Sequence, residues 1–287
     1  MQTDIRKTAL QIQAHFFCPE MLEIAAEAGF RYIAMGFGSS RCFHEDGWEK
    51  EIEKLSSEIK KNGLTCVMTH APYYDLRISA EITDEAMETA LLRCTEATAA
   101  LGAEIMAIHP RGFYRDGKED TEQSYFWNRK NLTPLVEMAK RCGCKIGIEN
   151  LPTFPGWDMT FYSNFPDEHL RLIDSFDPAD VCGVWDFGHS YLANSDPSAV
   201  LRRFRGKIGG THVHDNHRNN DEHLIPFDGT IDWRSEMAAL ADTGFDGYLT
   251  MELEYEPLTR DRAHILAYAE KALASISHAD EMLRAKP

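Results

Sequence analysis

Six apolar stretches of the chain each run into side chains able to ligate a metal. His70 closes one in Thr-His70-Ala-Pro-Tyr73, and His109 closes the next in Ile-His109-Pro-Arg111. Glu149 follows in Ile-Glu149-Asn150, and Asp186 with His189 in Trp-Asp186-Phe-Gly-His189. The last two end in His212-Val-His214-Asp215 and Met-Glu252-Leu-Glu254. One histidine after an apolar run is ordinarily a hydrogen-bonded loop residue. Recurrence at the same point of six successive units is different. Imidazoles and carboxylates crowded together would repel, or stay unsatisfied, without a cation. A mixed nitrogen and oxygen donor set suits Zn²⁺ or Mn²⁺ better than Ca²⁺ or Mg²⁺. After the seventh apolar run comes Asp221-Glu-His223. Alone it reads as a solvated acidic loop; above the same rim it becomes a further source of ligands.

The elements that would bring these residues together repeat regularly. Eight apolar runs recur: 9–12, 32–35, 65–69, 105–108, 145–148, 181–185, 208–213 and 248–251. Most lack polar alternation, as strands buried on both faces do. Between and after them, residues 21–28, 49–61, 84–101, 125–141, 167–175, 198–204, 233–243 and 260–279 carry apolar side chains at helical spacing. Gly29, Gly63, Gly102, Gly143 and Gly244 stand where helix C-terminal caps belong. Eight βα units in strict alternation predict a parallel sheet closed as a (β/α)8 TIM barrel, one domain over 1–287. A barrel of this kind takes roughly 250 residues and holds its active site at the C-terminal ends of its strands. No G-x-G-x-x-G follows the first run, which argues against a dinucleotide fold.

Composition narrows the partners. The formal net charge is −16, and the one basic cluster, Arg202-Arg-Phe-Arg-Gly-Lys207, precedes a strand and so falls away from the active rim. Nucleic acid binding rests on clustered cations that displace counterions. Charge therefore favours a small, neutral or metal-chelated substrate. No apolar run approaches the ~20 residues that span a bilayer, and the polar Met1–Lys7 does not read as a signal peptide. The expectation is a soluble cytoplasmic protein. The 7 cysteines, with a C-x-C pair at Cys142 and Cys144, read as reduced structural thiols.

The motifs T-H-A-P-Y (69–73), I-H-P (108–110), I-E-N (148–150), W-D-F-G-H (185–189), H-V-H-D-N (212–216), D-E-H-L-I-P-F-D-G-T-I-D-W (221–233) and M-E-L-E (251–254) resemble one superfamily. It joins xylose isomerase-like sugar phosphate isomerases and epimerases to endonuclease IV. The resemblance covers essentially the whole chain. It implies a metal held by Glu149, Asp186, His212 and Glu252, with His214 as the alternative to His212. Alternation along a strand sends both histidines to the same face. The endonuclease IV pattern, a trinuclear zinc cluster, implies further ligands at His70, His109, His189, Asp221 and His223.

Two reactions follow from the resemblance. A sugar or sugar phosphate isomerase or epimerase removes a proton beside a carbonyl through a metal-stabilised enediolate. There Glu149 and Glu252 would take and return the proton, while His70, His109 and His189 bind substrate hydroxyls. Arg111 would receive a phosphate, and Trp157, Phe113 and Tyr73 would pack against the sugar. The expected partner is thus a sugar or polyol derivative. In ketose epimerases of this group a second Glu follows the first ligand Glu; here 151–157 carries no carboxylate. That departure weighs against ketose 3-epimerisation and leaves dehydratases and other lyases open. The alternative is an endonuclease IV-like multinuclear zinc phosphodiesterase or phosphate-ester hydrolase.

Overall fold

A computed structural model describes residues 7–13, 19–38, 41–74, 76–78, 85–154, 160–253 and 261–285. In chain order the elements are β1 Thr8–Gln13, α1 Pro19–Ala28, β2 Tyr32–Gly36, α2 Trp48–Lys61, β3 Thr65–His70, β4 Arg77–Ile78, α3 Glu85–Ala100, β5 Ile105–Ile108, β6 Gly112–Arg115 and β7 Lys118–Glu119. The chain continues with α4 Thr121–Cys142, β8 Lys145–Glu149, α5 Pro166–Ile173, β9 Val181–Asp186, α6 Phe187–Ala193, α7 Pro197–Arg202, β10 Ile208–His212, α8 Trp233–Thr243, β11 Leu249–Met251 and α9 Arg262–Arg284.

Eight of these strands make one parallel sheet in the order β10-β9-β8-β5-β3-β2-β1-β11. They coincide with the eight apolar runs of the sequence. The sheet closes where β10 meets β11, by a parallel bridge between Val213 and Met251. The Val213 N–H donates to Thr250 O at 2.7 Å, and the Thr211 hydroxyl donates to Tyr248 O at 3.0 Å. The fold is a (β/α)8 barrel, as expected.

The barrel interior explains the rim. Ala9, Ala34, Met68, Ala107 and Val184 pack together inside it. Gly147 belongs to the same layer: a Cβ there would stand 2.5 Å from Val184 Cγ2 and 2.8 Å from Ile105 Cγ2. Gly210 likewise would meet Met68 Sδ at 2.9 Å. The few large side chains fill the space that the small ones leave, to interior density. Side chains alternate across a strand with period two. One pleat beyond this plug, the same face therefore carries Gln11, Gly36, His70, His109, Glu149, Asp186, His212 and Glu252. The polar rim is the next layer of the barrel.

Helices cover the outside through apolar stripes, as in α2, which buries Trp48, Ile52, Leu55 and Ile59. Helix α4 ends in Gly143 at φ 80°, a left-handed cap that costs glycine nothing. Two features were not expected. Helix α6 starts directly at the end of β9, ahead of the helical stretch expected at 198–204. A small sheet, β4-β6-β7, lies outside the barrel order. Arg202, Arg203 and Lys207 lie ahead of β10 and pair with Asp242, Asp167 and Asp174. Among the described residues six cysteines are free thiols, and no helix is long and apolar enough to cross a membrane.

Candidate metal centre

The strand ends bring the predicted residues into three adjoining groups, and His70, His212 and Glu252 also lie within ligand reach of one another across the first two. The first joins β8, β9, β10 and β11. His212 Nδ1 lies 2.9 Å from Glu149 Oε1, 3.3 Å from Glu252 Oε2 and 3.9 Å from Asp186 Oδ2. All four side chains are buried. Their donor atoms lie within 4.8 Å of one another.

The second group joins β3, β5 and β8. His70 Nε2 and His109 Nε2 are 3.2 Å apart, and each is 3.3 Å from Glu149 Oε2. Bonds of about 2.0–2.1 Å at tetrahedral angles place ligand atoms roughly 3.3 Å apart. The triangle thus has the dimensions of three ligands around one first-row ion. Glu149 Oε2 is buried and accepts no hydrogen bond. His70 Nδ1 donates to Ala71 O at 2.8 Å, which directs its other nitrogen into the triangle. Glu149 belongs to both groups, one oxygen in each.

The third group adds the loop after β10. Asp221 Oδ2 is 3.1 Å from His189 Nε2 and 3.1 Å from His223 Nε2. Again the remote nitrogens are fixed by backbone: His189 Nδ1 donates to Asn150 O at 2.9 Å, and His223 Nδ1 donates to Glu252 O at 3.0 Å. Carbonyl partners at Nδ1 leave the Nε2 lone pairs for a cation. Both candidate histidines of β10 and its extension are buried here. His212 faces the first group, and His214 Nε2 sits 3.0 Å from Asp186 Oδ2.

The donor chemistry fits a divalent cation. Four carboxylates meet at this rim, and imidazoles answer their charge. Burial opposes ionisation of Glu149, yet His212 and His109 hold its carboxyl well below the usual range. Burial likewise opposes ionisation of Glu252, but His212 and His223 bring it down to about 2. Asp221 is held below its ordinary value by His189 and His223 against the same opposition. In return, burial disfavours charge on His212, but Glu149 and Glu252 hold it up to about 9. His223 is held up to about 10, chiefly by Asp221, against its burial. The protons on these imidazoles supply positive charge that a bound cation could supply instead.

Several groups escaped sequence reasoning. Gln11, inside a run read as apolar, donates from Nε2 to Glu252 Oε1 at 2.6 Å. Asn150 clamps the backbone of Asp186: its Nδ2 donates to Asp186 O at 2.9 Å and its Oδ1 accepts Asp186 N–H at 2.8 Å. Asp186 caps α6 by accepting His189 N–H at 2.6 Å. An Asp with a helix-compatible stretch after it is an N-cap signal that could have revealed α6. Asp215 accepts N–H from Asn216, Phe227, Ile231 and the Trp233 indole, and so folds the loop carrying Asp221 and His223.

The remaining candidates stand further out. The Arg111 guanidinium lies 5.1 Å from the Tyr74 ring centroid and 5.3 Å from that of Trp127. It lines a cavity of about 250 Å³ between α3 and α4, behind His109. Tyr73 is 45% exposed, and its ring lies nearly parallel to His109. Phe113 is half-buried on β6. Trp157 and Glu254 lie outside the described residues.

Fold and rim together define a class: a (β/α)8 barrel with an imidazole and carboxylate centre at the C-terminal ends of its strands. The chain belongs to the xylose isomerase-like TIM barrel family, whose model matches residues 22–278. An uncharacterised protein of Methanocaldococcus jannaschii, MJ1311, is 27% identical over 225 residues, 72% of this chain and 74% of its own. An inosose dehydratase of Clostridium perfringens is 22% identical over 244 residues, 78% of this chain and 77% of its own. The structure of a 3-keto-D-glucoside 4-epimerase from E. coli superposes with a TM-score of 0.70 at 20% identity, covering 95% of this chain and 99% of that one.

Proposed function

We propose that the chain is a divalent-metal-dependent isomerase or epimerase of a sugar or polyol derivative, working by proton transfer at a carbon beside a carbonyl. The observation that carries this reading is the first group: Glu149, Asp186, His212 and Glu252 converging from four adjacent strands, with His212 Nδ1 between the two glutamates. Relatives named as an inosose dehydratase and a keto-glucoside epimerase support the substrate class.

A divalent ion in this group, Zn²⁺ or Mn²⁺, supplies the Lewis acidity that stabilises negative charge developing on substrate oxygens. The chain's own residues do the rest. Glu149 ends β8 and Glu252 directly follows β11, with two strands between them, so they reach a bound carbon from different sides. One takes the proton and the other returns it. Gln11 holds Glu252 Oε1 and fixes the direction of its second oxygen. His70, His109 and His189 bind hydroxyls, and the exposed Tyr73 face beside His109 packs against the carbon skeleton.

The test is solvent exchange. The protein, loaded with Mn²⁺ or Zn²⁺, is incubated in D₂O with a panel of ketoses, aldoses, inososes and their phosphates. Deuterium should enter at the carbon beside the carbonyl of at least one of them. No exchange across the panel by a fully loaded protein would rule the reading out.

A second reading has its own observation. The triangle His70, His109 and Glu149 and the group His189, Asp221 and His223 have the dimensions of further cation sites. Three ions would suit an endonuclease IV-like zinc phosphodiesterase or phosphate-ester hydrolase. The net charge of −16, and the basic cluster ahead of β10, disfavour nucleic acid as its substrate. Metal content per chain separates the readings. About one ion, with little effect of His223→Ala on turnover, fits proton transfer. Two to three Zn²⁺, with activity lost in His223→Ala, fits hydrolysis.

A further inference from the structure

Every strand of the barrel but β2 brings a polar side chain to the rim layer, and β2 ends there in Gly36. The place is not empty. A Cβ on Gly36 would stand 2.3 Å from Gln13 Oε1, 2.7 Å from its Cδ and 2.9 Å from its Nε2. The carboxamide of Gln13 therefore lies over Gly36, where a side chain of β2 would otherwise stand. Gln13 reaches it from the end of β1, in register with Gly36 and one pleat beyond Gln11. Gly36 is in turn in register with His70 of β3, so the amide borders the second group.

One end of this amide is held and the other is not. Nε2 donates to the Tyr73 hydroxyl at 3.2 Å, while Oε1 is buried with no hydrogen-bond partner. Turning the amide over changes nothing essential. A hydroxyl can donate or accept, so one end again meets Tyr73 and the other meets nothing. Buried polar atoms are ordinarily paired, and one left unpaired calls for a partner from outside the fold. Tyr73 is itself fixed: its N–H donates to Gly38 O at 2.8 Å, and its ring lies edge-on to His70 and nearly parallel to His109. A neutral amide beside an aromatic face suits a hydroxyl on a carbon skeleton. Along the closed sheet β2 stands four strands from β9 in either direction, across the barrel from Asp186. A substrate reacting over the first group, β8 to β11, has its remote end on this side.

We propose that Gln13 is a specificity-determining residue: its carboxamide, held by the Tyr73 hydroxyl over Gly36, receives a substrate hydroxyl remote from the reacting carbon. This inference rests on the sugar or polyol reading above. Gly36 belongs to the same device, because only glycine leaves the space that the amide fills.

The experiment follows deuterium exchange in D₂O by the Mn²⁺-loaded chain on D-fructose, D-tagatose, D-xylulose, D-glucose and scyllo-inosose. It then turns to the mono-deoxy forms of whichever compound exchanges fastest. For wild-type protein, one deoxy form lacking a remote hydroxyl should show kcat/KM about 10- to 100-fold below its parent. Gln13→Met, similar in length but without the amide, should lower kcat/KM for the parent by the same factor, through KM. It should leave that deoxy form unchanged, so the discrimination vanishes. Gly36→Ala, which displaces the amide, should do the same, and Tyr73→Phe, which keeps the ring, should lose part of the discrimination. Circular dichroism checks the fold of each. An equal fall for parent and deoxy form in Gln13→Met would make the amide a strut for Tyr73 and overturn the proposal. An unaffected parent in that variant, or a wild type indifferent to every remote hydroxyl, would overturn it too. If Gln13→Met does not fold, the same comparison in Tyr73→Phe and Gly36→Ala decides. No exchange on any of these compounds by the metal-loaded wild type would instead sink the functional reading, and this inference with it.

Discussion

Asp215→Asn should destabilise the protein severely although the change is nearly isosteric. Asp215 Oδ1 accepts the N–H of Asn216 at 2.9 Å and of Ile231 at 3.1 Å. Oδ2 accepts the N–H of Phe227 at 2.9 Å and the Trp233 indole at 2.7 Å. Asparagine keeps one oxygen and turns an NH₂ toward the other two donors, in either orientation. Two buried N–H groups then lose their acceptor, at about 1–3 kcal/mol each. Phe227 adds to this, because its φ of 75° is a left-handed conformation that the Asp215 bond helps to hold. The sum is about 4 kcal/mol. Urea unfolding, followed by tryptophan fluorescence, should show the midpoint lowered by roughly 1–2 M. The loop 216–232 should become the first site cut by protease. A midpoint within about 0.3 M of wild type would refute the view that one carboxylate anchors this loop.

Glu149→Gln and Glu252→Gln should each lower turnover by about 100-fold or more, with circular dichroism unchanged; near-normal turnover in either would end the two-carboxylate mechanism. The metal-free protein should lose stability as pH rises. His212 and His223 are held above their ordinary value of 6.5, at about 9 and about 10. The stabilisation from their protons is complete below 6.5 and is lost as pH climbs through 9 to 10. Melting temperatures of chelator-treated protein from pH 6 to 10 should fall, and Zn²⁺ should reduce the fall; a flat profile without metal would contradict this. At pH 7 metal uptake must expel those protons, so affinity should rise with pH. Calorimetry of Zn²⁺ binding in buffers of different ionisation heat should register at least one proton released per chain, and none would show that the imidazoles are already neutral.

The strand ends were legible because two periodicities coincide. Alternating apolar runs and amphipathic stretches located the strands, and a period of two carried the interior face one pleat onward to His70, His109, Glu149, Asp186, His212 and Glu252. What stayed hidden depends on distance in sequence. Gln11 meets Glu252 across 241 residues, and nothing local to Ala9–Ile12 marks it as polar for a purpose. Asn150 looked like a motif companion of Glu149, but its amide pairs with the next strand's Asp186. Asp215 draws donors from positions up to 18 residues on, a pattern that exists only once the loop is folded. Strands as short as β4 and β7 carry no periodicity to read. His212 and His214 share a face, as alternation required, but that His212 faces Glu149 and His214 faces Asp186 depends on ring orientation, and spacing does not encode that.

The three groups form one connected unit. Glu149 gives Oε1 to the first group and Oε2 to the second. Glu252 gives a carboxylate oxygen to the first and its backbone carbonyl to His223 in the third. Asp186 contacts His212 in the first group and His189 and His214 beside the third. Substitutions inside such a network cannot be additive, because each removes support from a neighbour as well as its own contact. Glu149 therefore controls two groups, whereas His223 controls one. An isomerase using only the first group would retain activity when the third is damaged and lose it when Glu149 is changed. A multinuclear hydrolase would lose activity either way. The same barrel rim can serve both chemistries, and the number of groups that must be filled for turnover is the physical quantity that distinguishes them.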